Sequence, residues 1–256
     1  MRVGVPKEIK SNENRVGLTV PSVRELVAHG HEVVVETRAG YGSGFDDEHY
    51  RAVGARIAGS AAEVFAGADM IVKVKEPQPA EIKLLGPQHT LFTYLHLAPD
   101  PVQTKGLIDS GCTAIAYETV TSPGGGLPLL APMSEVAGRM AIQVGAHCLE
   151  KRQGGAGVLL GGVPGVPPAD VVILGAGVVG SNAAAIAIGM GAQVTILDIN
   201  MQRLTYLDDI FKNSINTLYS TPANIEKAVK EADLVVGTVL IAGAKAPKLE
   251  IGRAHV

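Results

Sequence analysis

Three residues in the first half of the chain carry side chains suited to handling a small oxo or amino acid. Arg15 ends a polar stretch, Lys7-Glu8-Ile9-Lys10-Ser11-Asn12-Glu13-Asn14-Arg15, which follows the apolar run Val3 to Val5. A guanidinium in such a loop can grip a carboxylate through two parallel hydrogen bonds, although an arginine that is only solvated has the same sequence setting. Lys75 closes the run Met70 to Lys75, MIVKVK. An ammonium at a strand end can polarise a carbonyl, and a lysine merely reaching solvent would look the same. His96 lies within Tyr94-Leu95-His96-Leu97-Ala98-Pro99. An imidazole there is either a satisfied core group or a proton-transfer group, because it titrates close to neutral pH. The other histidines (His29, His31, His49, His89, His147 and His255) lack such a setting. The sequence has no zinc-ligand spacing and no G-x-S-x-G elbow, so no metal site is expected.

A second group of residues points to a nucleotide. Ala169 to Asp198 reads ADVVILGAGVVGSNAAAIAIGMGAQVTILD. An apolar run meets Gly175-Ala176-Gly177-Val178-Val179-Gly180; an alanine-rich segment and a second apolar run ending in Asp198 follow. This is the strand, glycine turn, helix and strand of a dinucleotide-binding unit, with an acid at about the expected 20-residue distance. Gly175 permits the tight turn, Gly177 lets the backbone approach a pyrophosphate, and Gly180 lets the helix sit close on the strand. The helix N-terminus offers free N–H groups and a positive dipole end. Asp198 can accept ribose hydroxyls, which favours NAD over NADP because a 2′-phosphate there would meet like charge. The uncharged stretch Val171 to Leu197 is not read as a membrane span, since glycines, Asn182 and Gln193 interrupt it and its periodicity changes midway.

The elements that must position these residues alternate along the chain. Strands are expected at Val3 to Val5, His31 to Thr37, Met70 to Lys75, Thr90 to Leu97 and Thr113 to Glu118, with helices between them. Right-handed crossovers would then put the strand C-termini on one edge, where ligands bind. Ser134 to Lys151 reads as a longer helix bridging two domains, and Gly154 to Pro168 as a Gly/Pro-rich loop. After Asp198 come a helix (Met201 to Lys212), a strand (Ile215 to Tyr219), a helix opened by Thr221-Pro222, and a strand (Ala232 to Leu240). The fold class is therefore α/β, with two Rossmann-like domains: an N-terminal substrate domain over 1–130, a linking helix over 131–153, and a doubly wound NAD-binding domain over 154–250 that is truncated. Only one mononucleotide half and the start of the next are expected. Ile251 to Val256 match one reading frame of a common sequencing-adapter sequence and are set aside as a non-native tail.

Composition narrows the partners. The formal net charge of −3 gives no reason to expect nucleic acid or an anionic membrane surface. Charged residues make up only 18% against 46% hydrophobic, which suits parallel sheets buried on both faces and perhaps subunit contacts. Two cysteines, Cys112 and Cys148, form no disulfide framework, and MRVGVPKEIK lacks the apolar core of a signal peptide. A cytoplasmic enzyme is expected.

With these residues in view, the sequence resembles the alanine dehydrogenase family, which also includes the NAD-binding subunit of proton-translocating transhydrogenase. The resemblance runs from Met1 to about Leu249. It rests on Val3 to Val20, AGYGSGFDDEHY (Ala39 to Tyr50), VKVKEP (Val72 to Pro77), LFTYLHLA (Leu91 to Ala98) and the GAGVVGSNAA run. It implies the reversible conversion of L-alanine, NAD and water to pyruvate, ammonium and NADH, by a homohexamer. It implies that Arg15 binds the substrate carboxylate, that Lys75 binds the carbonyl oxygen or amine, and that His96 donates and accepts the proton. Ser134 and the turn around Val178 would touch the cofactor, Asp198 the adenosine ribose with Arg203 nearby, and Ser220, Val239 and Leu240 the rest of the NAD site. In the family a catalytic aspartate and further nicotinamide contacts lie beyond this chain's last residue, so weak or absent activity of the chain itself is expected. An NAD-binding module of the transhydrogenase kind is the alternative; those relatives lack a histidine matching His96. A saccharopine-type dehydrogenase is disfavoured by the closeness of the N-terminal motifs.

Overall fold

The computed structural model describes residues 1–239, so the expectations for Leu240 and for 251–256 lie outside the described residues. The described chain divides into two compact units, residues 1–121 and 122–239.

The first unit is a six-stranded parallel sheet. Its strands are β1 (Arg2–Val5), β2 (Glu32–Glu36), β3 (Arg56–Ala58), β4 (Met70–Val72), β5 (Thr90–Thr93) and β6 (Thr113–Ala116), in the order β3-β2-β1-β4-β5-β6. The helices are α1 (Val20–Ala28), α2 (Asp47–Ala52), α3 (Ala61–Gly67), α4 (Pro79–Ile82) and α5 (Pro101–Ser110). Strand alternation builds two cores, one on each sheet face. Val33 and Val35 join Val3, Val5, Val23 and Tyr50, whereas Val34 joins Val64, Phe65, Ile71 and Leu91. Local signals set the helix starts. Pro21 opens α1 after Thr19, Asp46 and His49 cap α2 reciprocally, and Asp100 accepts the Gln103 N–H ahead of α5.

The second unit begins with α6 (Ala131–Cys148). It continues through β7 (Asp170–Leu174), α7 (Val178–Gly189), β8 (Gln193–Asp198), α8 (Met201–Phe211), β9 (Asn216–Tyr219), α9 (Pro222–Glu231) and β10 (Leu234–Gly237). The strands are parallel in the order β10-β7-β8-β9. The helix that the sequence alone assigns to a link packs within this unit, because Ile142 of α6 shares a core with Ala183, Ala184 and Ala187 of α7 and Ile173 of β7. No helix among the described residues is long and apolar enough to cross a membrane.

Several strands stop earlier than the sequence suggests, and two of them do so at candidate residues. β4 ends at Val72 and β5 at Thr93, so Lys75 and His96 follow the strands instead of lying at their last positions. The physical reason is a change of hydrogen-bond partner. Past β4, the N–H groups of Val74 and Lys75 donate to Oε1 of Glu8 at 2.6 and 3.4 Å. Past β5, those of Leu95 and His96 donate to Glu118.

Burial of charge accompanies the first of these turns. The Lys73 ammonium is fully buried between Glu8 Oε2 at 3.0 Å and Glu81 Oε1 at 2.8 Å, both carboxylates also being buried. Burial pushes the Glu81 carboxyl up, against the pull of Lys73. Glu81 also accepts the Gln78 N–H at 2.7 Å, closing α4 onto the same cluster. Removing one member leaves uncompensated charge in the interior. Lys73→Ala is therefore expected to destabilise the first unit by about 3–5 kcal/mol, read by denaturant unfolding; a loss below about 1 kcal/mol would contradict this account of the triad.

Candidate active site

In the first unit the strand order reverses between β1 and β4. At such a switch point the connections leave in opposite directions and open a crevice at the strand C-termini. Arg15 follows β1, Lys75 follows β4 and His96 follows β5, so the three candidates leave three neighbouring strands at one sheet edge.

Electrostatics and ring contacts connect them. The Arg15 Nε and Nη2 donate to the two oxygens of Glu13 at 2.9 and 2.6 Å, and the Arg15 N–H adds a third bond at 2.9 Å. These Arg15 bonds, with the Lys75 charge adding to them, hold the Glu13 carboxyl down at about 2. The same pairing raises the Arg15 guanidinium further. Glu13 thus fixes how the guanidinium is aimed. Tyr94 is linked both to His96 and to Arg15. Its ring stacks on His96 with centroids 6.3 Å apart and planes 18° apart. Burial raises its phenol, while the Arg15 charge acts in the opposite direction. Tyr117 meets Tyr94 edge-on at 4.9 Å and Phe92 at 4.3 Å, forming an aromatic cluster. Lys10 and Glu76 form a further ion pair nearby in sequence to the two loops.

Sequence reasoning did not single out Glu8, Glu13, Lys73, Tyr94, Tyr117 or Glu118. The available signal was the density of charge between Lys7 and Arg15 and the alternation of lysine with valine in VKVK. Neither says which charges are buried, because that depends on pairing between distant segments.

In the second unit a cleft of about 570 Å³ opens at the strand C-termini, where the order reverses between β7 and β10. Gly175, Gly177, Val178, Asp198, Ser220 and Val239 line it, and Ser134 reaches it from α6. Gly175 has φ of +115°, a conformation that disfavours any side chain. A Cβ at Gly180 would stand 1.9 Å from the Gly175 carbonyl oxygen, so α7 can approach the turn only without one. The α7 N-terminus, beginning at Val178, faces the cleft with its first N–H groups unsatisfied by the helix.

Asp198 has two tasks here. Its Oδ2 accepts the Ala176 N–H at 2.6 Å and its Oδ1 the Asn200 N–H at 2.7 Å, tying the glycine turn to the end of β8. The residue remains half-buried on the cleft wall, so its carboxylate keeps acceptor capacity toward a ligand hydroxyl. Arg203 braces the turn, donating to the Ala176 carbonyl at 3.1 and 3.0 Å and to Ser181 Oγ at 3.0 Å. Thr238, which the sequence reading omitted, donates to the carbonyls of Leu174 and Gly175 at 3.0 and 2.8 Å. A concave, mostly apolar cleft with one acid, a helix N-terminus and a few hydroxyls fits a dinucleotide. Among the described residues, no three His, Cys, Asp or Glu side chains group so as to hold a metal ion.

The family model for the alanine dehydrogenase/PNT N-terminal domain matches residues 4–137, and that for its C-terminal domain matches residues 141–256. The chain belongs to the alanine dehydrogenase/PNT family. It is 62% identical over 249 residues to an alanine dehydrogenase of Methanococcus maripaludis, covering 97% of this chain and 67% of that protein. A solved L-alanine dehydrogenase matches with a TM-score of 0.90 and 56% identity, over 97% of this chain and 69% of that one. A transhydrogenase structure from Sinorhizobium meliloti matches with a TM-score of 0.79 and 28% identity, over 96% of this chain and 72% of that one. The chain thus spans about two thirds of the length of its alanine dehydrogenase relatives.

Membership sharpens the reading of Gly180, whose space is filled by the turn itself. Gly180→Ala is expected to push the turn out of place and weaken NAD binding at least ten-fold, measured by titration calorimetry. Unchanged affinity would mean that the turn does not shape the cleft's ligand site.

Proposed function

We propose that this protein catalyses the NAD-dependent, reversible oxidative deamination of L-alanine to pyruvate and ammonium. The observation that carries this reading is the arrival of Arg15, Lys75 and His96 at one sheet edge, joined through Glu13 and Tyr94. The identity to alanine dehydrogenases supports alanine as the substrate.

Each side chain has a chemical task. The Arg15 guanidinium, aimed by Glu13, binds the substrate carboxylate with paired charge-assisted bonds. The Lys75 ammonium binds the carbonyl oxygen of pyruvate, or the substrate nitrogen in the opposite direction. In the transition state it offsets the negative charge that develops on that oxygen. His96 takes up and returns the proton that water and the substrate nitrogen exchange. NAD, when bound, accepts the two electrons removed from the substrate carbon. Ser134, the Gly175–Gly180 turn, Val178, Asp198, Ser220 and Val239 would hold it, with Arg203 keeping the turn in place. The same reading includes a homohexamer in the cytoplasm.

The transhydrogenase-like alternative keeps the NAD cleft but needs no small substrate. It is favoured by the likeness to the Sinorhizobium meliloti structure and disfavoured by the constellation around His96.

Binding separates the two. Pyruvate is expected to bind the chain in calorimetric titration. Arg15→Ala and Lys75→Ala each weaken it at least ten-fold and leave NAD affinity unchanged, because a charge-assisted bond contributes about 1.5–3 kcal/mol. Where alanine turnover is followed, His96→Ala lowers it by about 10²–10⁴-fold. NAD binding without any pyruvate binding would favour the alternative.

A further inference from the structure

His96 has a φ of +50°, in the left-handed region that residues other than glycine seldom enter. Such a conformation persists where its surroundings hold it. Here the holding groups are identifiable. Oε1 of Glu118 accepts the His96 N–H at 2.7 Å and the Leu95 N–H at 3.0 Å, and its Oε2 lies 3.2 Å from the same Leu95 nitrogen. From the other side, the buried Gln103 amide donates to the Leu95 carbonyl at 2.7 Å. The backbone of 95–96 is therefore held through both of its N–H groups and one carbonyl.

Glu118 reaches this segment because β6, which precedes it, lies beside β5 in the sheet. Its chain neighbour Tyr117 packs edge-on against Tyr94, and Tyr94 stacks on the His96 ring. One short segment after β6 thus governs the backbone of His96 through Glu118 and its ring support through Tyr117. The imidazole itself is exposed. Few packing contacts restrain it, so the backbone turn and the Tyr94 face decide where it points.

We propose that Glu118 is a positioning residue for His96. By accepting the Leu95 and His96 N–H groups together, its carboxylate fixes the left-handed turn that lays the imidazole on Tyr94 and presents it for proton exchange. This rests on the reading of His96 as the proton donor and acceptor. The charge of the acceptor matters, because bonds to a carboxylate are roughly twice as strong as neutral ones. A glutamine keeps one carbonyl acceptor but brings an NH₂ group toward the Leu95 N–H.

The test uses the full 256-residue chain with ring-labelled histidine. The His96 signal is assigned by its loss in His96→Ala. In the unaltered chain it is displaced by the Tyr94 ring, and Tyr94→Leu abolishes the displacement. Glu118→Ala is expected to abolish it too, and to weaken the pyruvate-driven shift of that signal at least ten-fold. The other histidine signals and the NAD affinity stay unchanged. Glu118→Gln is expected to restore only part of the displacement, because a neutral carbonyl accepts about half as strongly as a carboxylate. If Glu118→Ala fails to fold, amide exchange in the unaltered chain decides: Leu95 and His96 are expected to exchange at least ten-fold more slowly than Ala98. A His96 signal that stays displaced in Glu118→Ala, or a His96 amide that exchanges as fast as Ala98, overturns the proposal. Pyruvate leaving the His96 signal of the unaltered chain untouched would instead sink the proton-exchange reading, while the displacement would still decide the role of Glu118.

Discussion

The structure depends on how the backbone is satisfied where its parallel strands end. A strand leaving a parallel sheet carries N–H groups that no longer have a ladder partner, and buried donors without partners are costly. Here carboxylates take them. Glu36 accepts the Lys7 N–H after β1 at 2.8 Å. Glu8 accepts those of Val74 and Lys75 after β4, and Glu118 those of Leu95 and His96 after β5. In the second unit Asp198 accepts the Ala176 N–H after β7. Each acid belongs to a different segment from the one it anchors, so each bond also fixes one loop against another.

This constraint links stability to chemistry. The loops at the strand C-termini carry Arg15, Lys75, His96 and the glycine turn, and their backbones are held by charge-assisted bonds. Glu8 shows the coupling most directly. One of its oxygens holds the chain at Val74 and Lys75, and the other neutralises buried Lys73. The interior ion cluster therefore acts as the footing for the half-buried Lys75 two residues on. Glu13 extends the pattern by holding a side chain instead of a backbone. The two units reach the same solution independently, with acids at or just after the ends of strands.

Much of this architecture was legible in the sequence. The β-branched runs at Val3 to Val5 and Glu32 to Glu36 specify buried parallel strands, and the Gly175-to-Asp198 spacing specifies the unit around the second cleft. Arg15, Lys75 and His96 could be picked out because Arg15 follows an expected strand and Lys75 and His96 fall at the ends of two others. What stayed hidden were long-range pairings. Nothing local in Glu8 or Glu118 distinguishes an anchor from a solvated acid. Apolar content alone extended β4 and β5 through Lys75 and Leu97, because it does not register where the N–H groups change partner. Helix α6 read as a link for a similar reason, since only its packing on α7 reveals where it belongs. The bonds of Arg203 to the glycine turn were equally hidden, since they join residues 27 apart in the chain.

In the proposed function the strand ends of the first unit hold the amino-acid chemistry and those of the second hold the dinucleotide. Backbone chemical-shift mapping of the labelled chain tests this directly, with pyruvate and NAD titrated separately. Pyruvate should perturb the segments around Arg15, Lys75 and His96, and NAD those around Gly175 to Val178, Asp198 and Ser220. Pyruvate shifts confined to the glycine turn, or NAD shifts that leave that turn untouched, would contradict it.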